Sequence, residues 1–251
     1  MKALIFAAGL GTRLKPITDT LPKALVPVCG EPLLYHIIEK LKAAGYTQLT
    51  VNVHHFPEQI RAYIASRNWG LPIAISDESE QLLETGGGIL HARDLILPTE
   101  EPFLVHNVDI ISNLDLRWVQ QQTRPSALAT LVVSERPTRR NLLFSNDMHL
   151  VGWMDNETGE VRSPYPHLDP QTCRKYAFSG IHNLSPRIFP HFAQWGFTGR
   201  FPIMDFYLKT CHREPIHGIL AENLQVVDVG KFDQLEQAQH QCATLLARGD
   251  R

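Results

Sequence analysis

Lys2-Ala-Leu-Ile-Phe-Ala7 runs directly into Ala8-Gly9-Leu10-Gly11-Thr12-Arg13-Leu14-Lys15-Pro16 at the start of the chain. The apolar run has the length of a buried strand, and it empties into a glycine-rich, basic loop. Such a loop suits phosphates. Its glycines let backbone N–H groups approach an anion closely, and Arg13, Lys15 and Lys23 add positive charge. A second element, Pro22-Lys23-Ala24-Leu25, follows at once. The spacing excludes two common nucleotide-binding fingerprints. A dinucleotide fold needs a third glycine where Leu14 stands, and a P-loop needs Gly-Lys-Ser/Thr where the chain has Gly11-Thr12-Arg13.

The 251 residues are 43% hydrophobic and carry a formal net charge of −2, enough for one large α/β domain. No general basic excess points to nucleic acid, so the charge near the N-terminus is local and suits a small anionic ligand. Cys29, Cys173, Cys211 and Cys242 show no C-x-x-C spacing and fit a reducing cytosol. No apolar run reaches the ~18 residues of a membrane span, and Met1-Lys2 enters the first strand without a leader pattern. The expectation is a cytoplasmic protein with no membrane partner, a monomer or small homo-oligomer. His54-His55 is expected to pack or line a loop and not to bind metal.

Outward from the loop, apolar runs alternate with helical periodicity. Leu34, Ile37, Ile38 and Leu41 mark one face of a helix that Gly45 ends. Gln48–Asn52 reads as a strand, Pro57–Arg67 as a helix, Ile73–Ile75 as a strand and Glu84 to about Leu95 as a helix. Phe103–His106 is a strand, Leu114–Gln122 a helix and Ala127–Ser134 a strand. This order predicts a three-layer, Rossmann-like α/β fold, a mostly parallel sheet with helices on both faces. Ligands then bind beyond the carboxyl ends of the strands, where the signature loop, the Gly86–Gly88 turn and Val105–Asp109 all lie. The second half reads as a hairpin over Leu142–Ser145 and Leu150–Trp153, and an exposed loop over Gly159–Thr172. Strands follow at Tyr176–Leu184 and Leu224–Val229, with a helix at Phe201–His212 between them. A terminal helix over Lys231–Leu246 turns Leu235, Ala238, Cys242 and Leu245 inward. The expected organisation is one domain over 1–251 with a small lobe within about 135–200.

Two aspartates end strands. Asp109 follows Phe103–His106 in Asn107-Val108-Asp109, and Asp228 precedes Val229-Gly230-Lys231. An acid there is badly placed for packing and well placed for Mg²⁺, which takes one or two carboxylates and completes its shell with phosphate oxygens and water.

The compound motif at residues 9–16 and 22–25 resembles the signature of the sugar-1-phosphate nucleotidyltransferases, G-x-G-T-R-(L/M)-x-P followed by P-K-(A/P)-(L/M). The resemblance implies the fold of the nucleotide-diphospho-sugar transferases, without the C-terminal β-helix of longer members. It also implies transfer of a nucleotidyl group from an NTP to a sugar 1-phosphate. Arg13 and Lys23 are then the catalytic cations. Ala8, Gly9, Gly11, Thr12, Thr85, Gly86 and Asn107 line the nucleotide, with Glu80 or Gln81 accepting from the base. Ser179 and Gly180 of Phe178-Ser-Gly-Ile181 face the sugar, and Asp109 and Asp228 hold Mg²⁺. Val108 departs from the family's Gly before the first acid. Three glycines at Gly86–Gly88 weaken a helix, which suggests a flat ring against bare backbone.

Leu83-Glu-Thr-Gly-Gly-Gly-Ile89 resembles the small uridylyltransferases, so UTP with N-acetylmuramate 1-phosphate is the first expectation. Alternatives are GTP with mannose or heptose 1-phosphate, and a cytidylyltransferase for phosphocholine or a sugar alcohol phosphate. Outside the enzyme class stands a regulatory NTP-binding protein that has lost catalysis. Leu14 disfavours an NAD-dependent reductase.

Overall fold

A computed structural model describes residues 1–247, apart from the side chains of 242–244, 246 and 247. Its frame is a ten-stranded mixed sheet. The parallel part runs Ile73–Asp77, Gln48–Val53, Lys2–Phe6, Phe103–Asn107 across the sheet. Along the central strand Ala3 and Ile5 enter one apolar core while Leu4 enters the other, as the two-residue period of a strand buried on both faces requires. The helices Leu33–Ala43 and Pro57–Ala65 cover the first face through Ile37, Leu41 and Ile60. The helices Glu84–His91, Ile188–Gln194 and Ile203–Thr210 cover the second through Ile89, Phe192 and Phe206. Register places Phe6 beside both Asn52 and Asn107, so three strands end together at the carboxyl edge.

The second half of the sheet is mostly antiparallel, and a short turn suffices between Arg140–Phe144 and Leu150–Asp155. The eleven-residue strand Arg174–Leu184 pairs with Phe103–Asn107, Ala129–Ser134 and Arg140–Phe144. It therefore belongs to both halves. Ala129–Ser134 also pairs in parallel with Ile216–Leu220, a strand that the sequence reading passed over. The stretch read as an exposed loop over 159–172 contains a two-residue edge strand, Val161–Arg162, on Trp153 and Met154. Apart from the main sheet, Ile110–Ser112 pairs with Val226–Asp228 in a two-stranded ribbon.

In the terminal helix Phe232–Ala247, Ala238 and Leu245 are buried and Leu235 packs against the core, while the side chain of Cys242 lies outside the described residues. Cys173 and Cys211 are free thiols, whereas Cys29 is disulfide-bonded, so scattered spacing did not mean unlinked cysteines. Among the described residues no helix is long and apolar enough to cross a membrane.

Candidate active site at the carboxyl edge of the sheet

The signature loop leaves the first strand and turns at Gly11, whose φ of 64° is in the left-handed region. A Cβ there would meet Thr18 Cγ2 at 2.7 Å, so the turn needs glycine on two counts. The Thr18 hydroxyl donates to the Gly11 carbonyl at 2.8 Å and closes the loop. Leu14 is fully buried and pins the loop to the core. Pro22 holds extended backbone ahead of a short 3₁₀ turn, and Lys23 in that turn is buried, its Nζ paired with the carboxylate of Asp109.

Together these segments border a cavity of about 610 Å³, lined by Ala8–Arg13, Lys23, Thr85, Asn107 and Asp109 among others. It is large enough for most of a nucleotide.

Asn52 and Glu78 form its polar floor, and sequence reading missed both. Asn52 Oδ1 accepts from the N–H groups of Ala7 (2.7 Å) and Ala8 (3.2 Å), and its Nδ2 donates to Glu78 Oε1 at 2.7 Å. Glu78 Oε2 accepts from the N–H of Leu83 at 3.1 Å. Two side chains at strand ends thus tie the signature loop to the second glycine-rich turn. The available signal was Asn52 itself, a polar residue ending an apolar strand.

Two carboxylates converge at the far side of Lys23. Asp228 stands opposite Ile110 in the ribbon, and the N–H of Val229 donates to the Asp109 carbonyl at 2.8 Å. Burial, and then the neighbouring Asp109, raise the Asp228 carboxyl above its ordinary range, against the pull of Lys23, Arg13 and Arg136. Its Oδ1 is buried with no hydrogen-bond partner among the described residues. An orphaned buried anionic oxygen beside a second carboxylate is the donor set a hard divalent cation takes, so these residues fit Mg²⁺. Gly230 lets the backbone pass close to both groups, since a Cβ would lie 2.8 Å from Arg13 Nη2 and 2.9 Å from Asp228 Oδ1. The side chain of Val108 is buried in the core and its N–H donates to the Phe6 carbonyl at 3.1 Å, so the departure from glycine is absorbed by packing.

The remaining expected residues fall in different places. Glu80 and Gln81 are exposed and do not line the cavity; Glu78, two residues earlier, does. Gly86–Gly88 do not offer bare backbone to a ring. A Cβ on Gly86 would overlap the Phe201 ring at 2.2 Å, one on Gly87 the Gly199 carbonyl at 2.3 Å, and one on Gly88 Glu78 Oε1 at 2.8 Å. The glycines admit the chain's own segments, and the Phe201 carbonyl accepts from the N–H groups of Gly86 and Gly87. Thr85 does line the cavity, with its hydroxyl accepting from the N–H of Ile203 at 2.9 Å. Ser179 is buried and donates to the Val132 carbonyl at 2.9 Å, away from the cavity. Gly180, at φ 75°, packs beneath Asn107, where a Cβ would meet Nδ2 at 2.6 Å. His54 and His55 bind backbone carbonyls, those of Glu78 and Thr18.

The nucleotidyl transferase family profile matches residues 2–143. The N-acetylmuramate alpha-1-phosphate uridylyltransferase of Caulobacter vibrioides is 33% identical over 231 residues, spanning 88% of this chain and 89% of its own. The mannose-1-phosphate guanylyltransferase catalytic subunit beta of Danio rerio is 36% identical over 153 residues, 59% of this chain and 42% of its own length. The crystal structure of HddC from Yersinia pseudotuberculosis superposes with a TM-score of 0.75 at 21% identity, covering 96% of this chain and 99% of that one, which is a likeness of fold.

Proposed function

The chain belongs to the nucleotidyl transferase family of sugar-1-phosphate nucleotidyltransferases, and from that premise we propose that it joins UTP and N-acetylmuramate 1-phosphate into the nucleotide sugar, releasing pyrophosphate. The observation that carries the reaction is the meeting of Lys23, Asp109 and Asp228 at the cavity edge, with one buried carboxylate oxygen unpartnered. The choice of substrates is supported by the uridylyltransferase relative, whose similarity spans nearly the whole of both chains.

A phosphate oxygen of the sugar 1-phosphate, already ionised near neutral pH, forms a bond to the α-phosphorus of the NTP. The bond from that phosphorus to the bridging oxygen breaks, and its electron pair leaves with pyrophosphate. No side chain need take a proton, so rate comes from positioning and charge stabilisation. Gly9–Thr12 present backbone N–H groups to the nucleotide while Ala8 lines the cavity beside them, and Arg13 contacts the departing phosphates. Lys23 leaves the Asp109 carboxylate to contact the phosphate under attack. Asp109 and Asp228 would hold Mg²⁺, which when bound neutralises phosphate charge and aligns the reacting oxygens. Asn107 stands beside them on the cavity wall.

Pyrophosphate release measured over the four NTPs and a panel of sugar 1-phosphates tests this reading. UTP with N-acetylmuramate 1-phosphate is expected to give the highest kcat/KM. Preference for GTP with mannose 1-phosphate would move the substrates to the guanylyltransferase side. No release with any pair would defeat the enzymatic reading. An NTP at 100 times its Kd should add about 2.7 kcal/mol of stability, so thermal shift reports the base separately.

A further inference from the structure

We propose that Arg136 binds an anionic group of the acceptor sugar 1-phosphate and positions that substrate at the acid pair; the inference rests on the nucleotidyltransferase reading above. Arg136 lies just beyond the strand Ala129–Ser134, in the connection to Arg140–Phe144. Its Nη2 donates to the carbonyl of Phe178 at 2.9 Å. Phe178 lies two residues before Gly180, which packs under Asn107 at the cavity wall. The guanidinium is therefore anchored to the strand that joins the second half of the sheet to the site.

The rest of that guanidinium is unused. It is half-buried, its Nε is buried without a hydrogen-bond partner, and among the described residues no carboxylate lies within ion-pair distance of it. Its neighbours behave otherwise. Arg139 closes on Asp155 at 2.8 Å and Glu157 at 3.1 Å, and Arg140 reaches Asp155 at 4.0 Å. A guanidinium has five N–H donors, and desolvating it without an acid is costly unless an anion arrives to use them.

Arg136 and Arg13 both act electrostatically on Asp228. They come from different segments. Arg13 belongs to the loop that faces the NTP. Arg136 belongs to the connection between Ala129–Ser134 and Arg140–Phe144. The reaction brings together two polyanions, and a separate guanidinium for each avoids competition between them. The group received is an oxyanion, either the phosphate common to all sugar 1-phosphates or the carboxylate that N-acetylmuramate also carries.

The test is steady-state kinetics of R136A and R136K with the NTP that the wild type turns over, against N-acetylmuramate 1-phosphate and N-acetylglucosamine 1-phosphate. Calorimetric titration of both sugar phosphates into wild type and variants accompanies it. In R136A the KM for the sugar phosphate is expected to rise roughly tenfold or more, with the KM for the NTP changed less than about twofold, and R136K should recover part of the loss. An equal rise for both sugars assigns the phosphate; a rise confined to N-acetylmuramate 1-phosphate assigns the carboxylate. A rise confined to the NTP, or unchanged affinity for both sugar phosphates, overturns the inference. If the wild type turns over no pair, the titration decides alone. Binding weakened in R136A upholds the role of Arg136, and a wild type that binds neither sugar phosphate overturns it. Should R136A fail to fold, R136K carries the same comparisons.

Discussion

Replacing Asn52 separates two effects that its side chain combines. Asn52→Ala removes the acceptor for the Ala7 and Ala8 N–H groups and the donor to Glu78, in a site where both side chains are 2% exposed. Orphaned buried groups cost about 1–3 kcal/mol each, so the three left behind give an expected loss of about 3–9 kcal/mol. At about 2–4 °C per kcal/mol for a chain of this size, Tm falls by roughly 6–36 °C. Asn52→Asp keeps the acceptor but sets a second carboxylate against Glu78 Oε1, at the 2.7 Å now spanned by the amide. With both ionised, repulsion at an effective dielectric constant of 20 is about 6 kcal/mol. Holding a proton on one of them near pH 7, against an ordinary carboxyl titrating near about 4, costs about 4 kcal/mol. Proton uptake is the cheaper course, so the folded variant binds one proton that the unfolded chain releases. A raised folded-state pKa confers stability at low pH that is lost as pH rises. The variant should therefore lose about 1.4 kcal/mol per pH unit relative to wild type between about pH 5 and pH 8. Denaturant titration at several pH values measures the slope. Parallel stability profiles for Asn52→Asp and wild type would refute a carboxylate–amide contact at the floor of the site.

Lys23→Ala is expected to remain folded and lose about 2–4 kcal/mol of transition-state stabilisation in kcat/KM; wild-type turnover would remove Lys23 from the chemistry. Asp228→Asn should act in opposite directions on stability and activity. The raised Asp228 carboxyl takes stability from the metal-free protein as pH rises through its range, so the amide should lift the metal-free Tm by a few degrees at neutral pH while lowering activity and the response to Mg²⁺. Calorimetric scans with chelator and with Mg²⁺ check both signs, and a lower metal-free Tm would contradict the repulsion between the two acids. Gly87→Ala, which must force Cβ toward the Gly199 carbonyl at 2.3 Å, is expected to lower stability by about 1–3 kcal/mol, read by denaturant midpoint. Tolerance of alanine there would show that the backbone gives way.

Local chemistry and the meeting of the loops at one sheet edge were legible in the chain; the side-chain contacts that join those loops were not. The signature loop could be read because a strand, a left-handed glycine and a cation lie within a few residues of one another. Asp109 and Asp228 could be read because a carboxylate at a strand end stands out against apolar neighbours. Asn52 and Glu78 serve the loops only through register, since Phe6 must align with Asn52 before the amide reaches Ala7. No spacing rule encodes that alignment. Gly86–Gly88 misled because a glycine reports only that something comes close. For Gly86 and Gly87 the visitors are Phe201 and Gly199, over a hundred residues away. The parallel half of the sheet followed from alternating elements. The strand Ile216–Leu220 did not, because Gly218 interrupts its apolar run, and that glycine is needed where the Phe144 ring lies 2.8 Å from a Cβ position.

The ribbon between Ile110–Ser112 and Val226–Asp228 makes the acid pair a late product of biosynthesis. Roughly 120 residues separate its two strands. At about 5–20 residues per second the ribosome needs roughly 6–24 s to supply the second strand after the first. Through that interval the emerging chain can carry the phosphate loop and the parallel strands, but only one of the two carboxylates. A truncated translation product ending before Val226 therefore has the glycine-rich loop without the acid pair.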